Sequence, residues 1–185
     1  DIFSKLFDIS NLEDDPMLHG AGIHLYPKYG RLNMHLDYEK HPLLENKQRR
    51  LNIIIYMNEY WDNNWAGATE LWNKDMSECI VKSYPKYNRA IIFETTEKSW
   101  HGMPEIIKCP ENTYRKSIAY YYLSPLINNP TLNKIGANNS GYRNKATFVK
   151  RPQDKDDERM NKLYNIRPIR RIIQDDIWDE WNIQN

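Results

Sequence analysis

Two residues of this sequence have the types and the spacing of a metal site, His35 and Asp37. They are separated by Leu36, and residues two apart in an extended strand point to the same face. An imidazole and a carboxylate on one face can hold a metal ion between them, whereas Leu36 points away. Two ligands leave an iron or zinc ion incompletely coordinated, so the site requires at least one further residue.

His101 is the candidate for the third ligand. It follows Ser99 and Trp100, shortly after the apolar run Ala90-Ile91-Ile92-Phe93. Two imidazoles and one carboxylate, with the remaining positions open, form the ligand set of non-haem Fe(II) oxygenases. A His-x-Asp pair occurs by chance in many proteins, so the prediction depends on the residues around it.

Length and composition indicate one domain with balanced charge. The 185 residues are 40% hydrophobic and 12% aromatic, enough for one sizeable core. The 26 basic and 25 acidic residues nearly cancel, which argues against a nucleic-acid or membrane surface and favours a small or peptidic partner. Cys79 and Cys109 are too few for a disulfide framework, which fits a reducing, cytoplasmic setting. No apolar run reaches the length of about 18 residues that spanning a membrane requires.

The first two thirds of the chain are predicted to be mainly β. Short segments rich in Ile, Val, Tyr and Trp recur between clusters of Gly, Pro, Asn and Asp, as in a sandwich or barrel of short strands. The predicted strands are 23–26, 32–37, 51–57, 69–72, 79–81, 90–94 and 117–123. Residues 1–9 are typical of a helix end and residues 14–16 of a turn. The abrupt apolar start at Ile2 suggests a fragment that lacks upstream helix.

Residues 126–145 are rich in Asn and poor in apolar side chains, so we expect a connector that ends the β core, followed by two helices. The second helix begins at Pro168, and its apolar stripe is predicted to pack on the barrel, with a partner contact as the alternative. The stripe consists of Ile169, Ile172, Ile173, Ile177 and Trp181. The expected division is a core over 1–125, with its β structure at about 20–125, and a connector with packed helices over 126–185.

Several motifs, in this order and spacing, resemble the 2-oxoglutarate and Fe(II)-dependent dioxygenases of the prolyl 4-hydroxylase type. They are Tyr26-x-x-x-Gly30-x-x-x-x-His35-x-Asp37, Arg50-Leu51-Asn52-Ile53-Ile54-Ile55-Tyr56-Met57-Asn58, Ala66-Gly67-Ala68-Thr69-Glu70-Leu71, Asn88-Arg89-Ala90-Ile91-Ile92-Phe93, His101 and Arg115. Tyr56-Met57-Asn58 and Trp61-Asp62 further resemble the hypoxia-inducible-factor prolyl hydroxylases and their bacterial relatives. The resemblance implies a double-stranded β-helix, a cupin-like jelly roll with flanking helices, and iron held by His35, Asp37 and His101.

The cosubstrate 2-oxoglutarate needs a rigid positive partner for its distal carboxylate, and the planar fork of an arginine suits a carboxylate. Arg115 is the candidate, and Ser117 shares its strand face. By the same resemblance Tyr26 and Tyr56 hydrogen-bond the cosubstrate. The side chains expected to line the pocket are Asn52, Ile54 and Trp65. His24 or His41 could also face it, and both are otherwise expected to be core histidines.

The resemblance implies hydroxylation of an unactivated C–H bond with release of succinate and CO2, at an iron centre that needs no separate catalytic acid or base. Its cofactors are Fe(II), 2-oxoglutarate and O2, with ascorbate as an optional addition. Peptidyl proline is the favoured substrate, and a free amino acid or a sugar is the alternative. A non-catalytic jelly-roll binding module would be expected to lack a ligand or the arginine, and all four positions are filled here. A nucleic-acid demethylase is poorly supported by a net charge of +1. The oligomeric state is left open.

Overall fold

The computed structural model describes residues 2–127, 141–154 and 158–166. Within these ranges the chain forms short strands and little helix, as the recurring β-branched and aromatic segments predict. The elements in chain order are α1 (Ile2–Phe7), β1 (Glu13–Asp14), β2 (Gly22–Tyr26), β3 (Leu32–Leu36), β4 (Lys47–Tyr56), a 3-10 turn (Asn63–Trp65), β5 (Thr69–Trp72), β6 (Cys79–Ser83), β7 (Ala90–Glu94), β8 (Trp100–Met103), β9 (Arg115–Pro125), β10 (Thr147–Phe148) and α2 (Glu158–Ile166).

The first sheet is built around β9, the longest strand that the structure describes. Its order is β1-β9-β4-β7, and β2 pairs with the part of β9 that β1 leaves open. All of these pairings are antiparallel, with Tyr26 opposite Arg115 and Tyr56 opposite Ser117. The residues predicted to bind the cosubstrate therefore lie on neighbouring strands.

The second sheet has the order β10-β3-β8-β5-β6 and is also antiparallel. The two sheets face each other: Asn52 of β4 donates a hydrogen bond to Asp37 after β3, and Tyr56 of β4 bonds to Thr69 of β5. The chain passes repeatedly from one antiparallel sheet to the other, which is the arrangement of a double-stranded β-helix. The predicted fold class is confirmed.

The sequence and the structure differ most at the two ends of the described core. Asp14, predicted to lie in a turn, instead belongs to β1 and pairs with Tyr122. After residue 125 the chain adds β10, which pairs with β3 at His35 and Leu36. The segment 126–185 thus contributes a strand to the second sheet. The predicted helix from Pro168, with its apolar stripe, lies outside the described residues.

Apolar side chains fill the interior in three clusters. The first contains Met34, Leu36, Trp72, Met76 and Trp100; the second Trp61, Met103, Ile107 and Cys109; the third Tyr56, Ile91 and Phe93. The middle of the barrel is left to polar residues, which form the site described next. No helix in the described part of the chain is long and apolar enough to cross a membrane.

Candidate active site

The two candidate histidine ligands lie directly opposite each other on neighbouring strands. His35 of β3 pairs with His101 of β8 in the antiparallel register, and their ring centroids are 4.3 Å apart. Side chains at paired positions point to the same face of a sheet. Asp37 follows the end of β3, and its carboxylate oxygens lie 3.6 Å from Nε2 of each histidine. All three residues are buried.

Main-chain carbonyl groups determine which nitrogen of each histidine carries the proton. Nδ1 of His35 lies 2.8 Å from the carbonyl oxygen of Asn33, and Nδ1 of His101 lies 2.8 Å from that of Ser99. A carbonyl oxygen only accepts, so each Nδ1 carries the proton and donates it. Nε2 of both rings is left with a lone pair directed at the space beside Asp37. This is how metal-binding histidines are commonly oriented.

Asp37 is held ionised by its surroundings. Burial alone would raise the pKa of Asp37, but the charge of Arg49 and its hydrogen bond, together with the two adjacent imidazoles, outweigh it, so this pKa lies well below its usual range. Nη1 of Arg49 lies 3.2 Å from Oδ2, and Nδ2 of Asn52 donates to the same oxygen at 3.2 Å. The aromatic rings of Tyr38 and Tyr121 lie 3.9 and 3.4 Å from the guanidinium carbon of Arg49.

These residues fit an iron ion. One ligand atom from each of His35, Asp37 and His101 lies within 4.8 Å of the others, and no further group of this kind occurs in residues 2–127, 141–154 and 158–166. Two neutral imidazoles and one carboxylate suit Fe(II) and leave coordination positions for other molecules. The His-Asp-His triad predicted from the sequence is present.

Arg115 lines the same cavity as the triad. Its side chain is 3% exposed, and it donates hydrogen bonds from Nε to the carbonyl of Gly67 at 2.7 Å, from Nη1 to Ser117 at 3.1 Å and from Nη2 to Thr69 at 2.9 Å. All three acceptors are neutral. Burial lowers the pKa of Arg115, but a guanidinium remains charged at any ordinary pH.

The described residues supply no carboxylate for Arg115, although a buried charge normally has an ionic partner. Three of its five N–H groups are used by the neutral acceptors, which leaves two for an anion in the cavity. The arrangement therefore fits the distal carboxylate of 2-oxoglutarate.

Four of the remaining predicted residues line the cavity, namely Tyr26, Ser117, Asn52 and Ile54. Tyr56 lies behind the cavity wall: its hydroxyl bonds to Thr69 at 2.8 Å and lies 3.1 Å from the carbonyl oxygen of Ser83. Its ring is 5.2 Å from the guanidinium carbon of Arg115. Tyr56 therefore contacts Thr69 through its hydroxyl and Arg115 through its ring, and both contacts lie on the side of these residues away from the cavity.

Trp65 does not line the cavity. It ends the 3-10 turn, which Asp62 caps by accepting from the main-chain N–H of Asn64. This turn directs the indole ring onto Trp61, at 5.3 Å between centroids, and towards Tyr60 at 5.6 Å. The side chain therefore packs on the second apolar cluster, which is the ordinary role of a tryptophan next to a buried apolar surface.

Of the two spare histidines, His24 lines the cavity and His41 does not. Burial and the charge of Arg115 lower the pKa of His24, so its imidazole is neutral at pH 7. Nδ1 of His41 accepts from the main-chain N–H groups of Leu43 and Leu44, and its Nε2 lies 3.4 Å from Asp15. His41 thus orders the loop after β3.

Comparison with known proteins agrees with this geometry. The family model of the 2OG-Fe(II) oxygenase superfamily matches residues 21–123, more than half of the chain. The chain belongs to this superfamily. Its cofactors are therefore Fe(II), 2-oxoglutarate and O2, and the triad and Arg115 lie inside the matched range. Tyr142 to Phe148 lie outside it.

Among curated members of the superfamily, Prolyl 3-hydroxylase OGFOD1 of Mus musculus is 31% identical over 90 residues. That alignment covers 46% of this chain and 16% of the mouse protein, so the chain spans only a small part of that relative's length.

Solved structures show a weaker likeness. A prolyl-4-hydroxylase of Pseudomonas putida is 20% identical, with 58% of this chain and 52% of that chain covered and a TM-score of 0.42. A prolyl 4-hydroxylase of Phytophthora capsici is 18% identical, with 69% of this chain and 40% of that chain covered and a TM-score of 0.46. A prolyl hydroxylase of Trichoplax adhaerens, in complex with a hypoxia-inducible-factor peptide fragment, is 19% identical, with 55% of this chain and 42% of that chain covered and a TM-score of 0.39.

Three polar residues at the site were not predicted from the sequence. Arg49 supports Asp37, Thr69 supports Arg115, and Arg143 donates to the main chain at Asp37. None of the three has a local sequence pattern that identifies its role.

Proposed function

We propose that this chain is a 2-oxoglutarate- and Fe(II)-dependent dioxygenase that hydroxylates a prolyl residue in a peptide. One observation carries the proposal: the buried guanidinium of Arg115, which has no carboxylate partner in the part of the chain that the structure describes, lines the same cavity as a His-Asp-His triad. In the overall reaction O2 and 2-oxoglutarate are consumed, one oxygen atom enters the substrate as hydroxyl and the other enters succinate, and CO2 is released.

The protein's own residues have three roles in this proposal. His35, Asp37 and His101 would hold the iron, and Arg115 with Ser117 and Tyr26 would hold the cosubstrate. Iron with its bound cosubstrate supplies the oxidation of the C–H bond.

Apolar side chains of the cavity have the third role, because they exclude water and limit how a substrate can approach. They are Leu32, Ile54, Met103 and Ala119. No additional acid or base is required.

Peptidyl proline is proposed as the substrate because the mouse relative is named a prolyl 3-hydroxylase and the three solved structures are prolyl hydroxylases. Which carbon of the proline ring is hydroxylated is determined by the experiment below. A free amino acid or a sugar is the alternative outcome. The site is proposed to act on a substrate presented in solution, with no nucleic acid or membrane involved.

The test has two stages. Anaerobic addition of Fe(II) and then 2-oxoglutarate should produce the weak visible charge-transfer band of the chelate, and its absence would reject the dioxygenase assignment. Air and a panel of proline-containing peptides should then give succinate and a product heavier by one oxygen atom. Hydrolysis of that product and chromatography against 3- and 4-hydroxyproline identify the position. Turnover with free amino acids or sugars but with no peptide would overturn the peptidyl assignment alone.

A further inference from the structure

The segment 141–149 lies beyond the range matched by the superfamily model, yet it contacts two of the three candidate metal ligands. Arg143 bonds to the main chain of Asp37, and the ring of Phe148 stacks on that of His35. Arg143 is its central residue and the largest of the fully buried side chains among the described residues. A fully buried arginine depends on partners inside the protein, and among the described residues Arg143 finds them for Nε and Nη2 but not for Nη1. The partners of this arginine are therefore informative.

Arg143 first fixes the main chain at the carboxylate ligand. Its Nε donates to the carbonyl oxygen of Asp37 at 3.0 Å. Glu39, two residues further on, is bound from two directions: its Oε1 lies 3.1 Å from Nη2 of Arg143 and its Oε2 accepts the main-chain N–H of Arg143 at 3.1 Å. The carbonyl of Arg143 in turn accepts from the main-chain N–H of Glu39 at 2.8 Å. The chain from Asp37 to Glu39 is thus held by one residue through both its side chain and its main chain.

The same guanidinium also reaches the turn that orients the third ligand. Nη2 of Arg143 donates to the carbonyl of Thr96 at 3.1 Å. That carbonyl also accepts from the hydroxyl of Ser99 at 3.0 Å, and the carbonyl of Ser99 fixes the Nδ1 proton of His101. Arg143 therefore connects the strand end at Asp37 with the turn before His101, two parts of the chain that are far apart in sequence.

β10 supports the remaining ligand. Phe148 is paired with His35 in the register, and the two rings are stacked at 5.2 Å between centroids with an interplanar angle of 30°. The main-chain N–H of Val149 donates to the carbonyl of Met34 at 3.0 Å and extends this pairing. An aromatic ring against one face of an imidazole restricts its rotation about χ2, in addition to the restriction that the hydrogen bond from Nδ1 to the carbonyl of Asn33 imposes.

We propose that residues 141–149 are a positioning element of the metal centre, in which Arg143 holds the carboxylate ligand and the turn before His101, and Phe148 holds the ring of His35. The functional unit then includes residues of the predicted connector 126–145 and β10, which lie outside the predicted core over 1–125. This inference depends on the triad binding a metal and does not depend on which substrate is hydroxylated.

The experiment measures binding of Co(II) alone to the full chain, without cosubstrate or substrate. Arg143→Lys keeps the charge but cannot reach the three acceptors at once, and Phe148→Ala removes the stacked ring. Residues that orient metal ligands typically change metal affinity by about 10- to 100-fold when substituted. We expect a loss of this size in both variants, together with a changed intensity of the visible Co(II) absorption, which reports the coordination geometry.

Arg151→Ala is the matched control. It removes an arginine from the same part of the chain that pairs with Asp154 at 2.8 Å and with Glu70 at 3.6 Å and does not contact the triad. Circular dichroism of every variant at the assay temperature ensures that folded protein is compared. A role restricted to stability would lower the melting temperature and leave the Co(II) affinity and spectrum of the folded protein as in the wild type.

Two results would overturn the proposal: wild-type Co(II) affinity and spectrum in both Arg143→Lys and Phe148→Ala, or an equal loss of affinity in Arg151→Ala. If Arg143→Lys does not fold, Phe148→Ala alone decides. An inactive enzyme that still binds Co(II) in this pattern would refute the proposed function and leave the positioning role intact, so the two failures are distinguishable.

Discussion

Truncation of Arg115 to alanine should strongly weaken the binding of 2-oxoglutarate. Arg115 is the proposed ionic partner of the distal carboxylate of 2-oxoglutarate. Without the guanidinium, that carboxylate would lie in a buried cavity with no positive charge beside it. Breaking a buried charge pair costs about 2–5 kcal/mol. With about 1.36 kcal/mol for each factor of ten, the dissociation constant should rise about 30- to 5,000-fold.

The same substitution should have a much smaller effect on the unliganded protein, because two changes oppose each other. It removes a buried cation that has no carboxylate partner in the described part of the chain, which favours the variant. It also leaves the carbonyl of Gly67 without the donor that bonds it at 2.7 Å, which costs about 1–3 kcal/mol. Stability without ligand and affinity for ligand are therefore separable.

The assay is the shift in melting temperature that 2-oxoglutarate produces in anaerobic, Fe(II)-loaded protein. A ligand present at 100 times its dissociation constant stabilises the folded state by about 2.7 kcal/mol, and a dissociation constant that is about 30- to 5,000-fold higher should reduce this gain to about 0.9 kcal/mol or less. Arg115→Lys should be intermediate, because lysine keeps the charge without the planar fork. Lys116→Ala is the control, since Lys116 is exposed on the opposite face of β9. An unchanged shift in Arg115→Ala with a lost shift in Lys116→Ala would refute the assignment of the strand face.

Three further substitutions test other parts of the site and of the chain. His101→Ala should lose Fe(II) binding and most turnover, and undiminished 2-oxoglutarate-dependent turnover would remove His101 from the iron ligands. Arg49→Leu should lower the free energy of unfolding by about 3–5 kcal/mol, measured in urea, because it leaves Asp37 buried without its partner. Arg50→Leu, which breaks a partly exposed pair with Glu94 at 3.8 Å, should cost no more than about 1 kcal/mol, and equal losses would contradict this explanation. If the predicted helix from Pro168 packs on the barrel, its deletion should lower the free energy of unfolding by roughly 1.5–3 kcal/mol for each apolar side chain that it would bury. A deletion that keeps the melting temperature and loses only turnover would instead assign this segment to the active site.

The side chains that share a face with a ligand could be predicted because the period of a strand is two. His35 with Asp37, Arg115 with Ser117, and Asn52 with Ile54 all follow from this alternation together with the motifs. The pairing of His35 with His101 could not be read from the alternation itself. It requires knowledge of which strands are neighbours, and the resemblance implied only that both histidines bind the same iron.

Arg49 shows why strict alternation fails at a bulge. Counting back from the inward-facing Asn52 places Arg50 inside and Arg49 outside. The register of β4 against β9 shifts between Arg49 and Leu51, and this extra residue turns Arg49 inward, where it is 3% exposed. A bulge has no reliable local signature in this stretch, so the partner of Asp37 was invisible from the sequence.

β10 was missed for a different reason. Two residues are too few to show a period, and they follow a polar connector that separates them from every other predicted strand. Their pairing with β3 depends on the carbonyl and N–H groups of the partner strand, not on their own composition. The packing of Trp65 depended in the same way on a capped turn whose direction the sequence does not specify.

The position of β9 in the middle of the first sheet determines when the protein can acquire its ligands during folding. β9 is the last long strand of the core, yet β1, β2 and β4 all pair with it. Such distant pairings require large loops to close before any contact compensates for the lost entropy, and they make folding slow. During synthesis, β3 and β8 with the two histidine ligands leave the ribosome before β9. At that stage the chain outside the ribosome has the histidines of the iron site but lacks Arg115 of the cosubstrate site. The incomplete barrel also exposes strand edges, so this stage is the one most prone to aggregation.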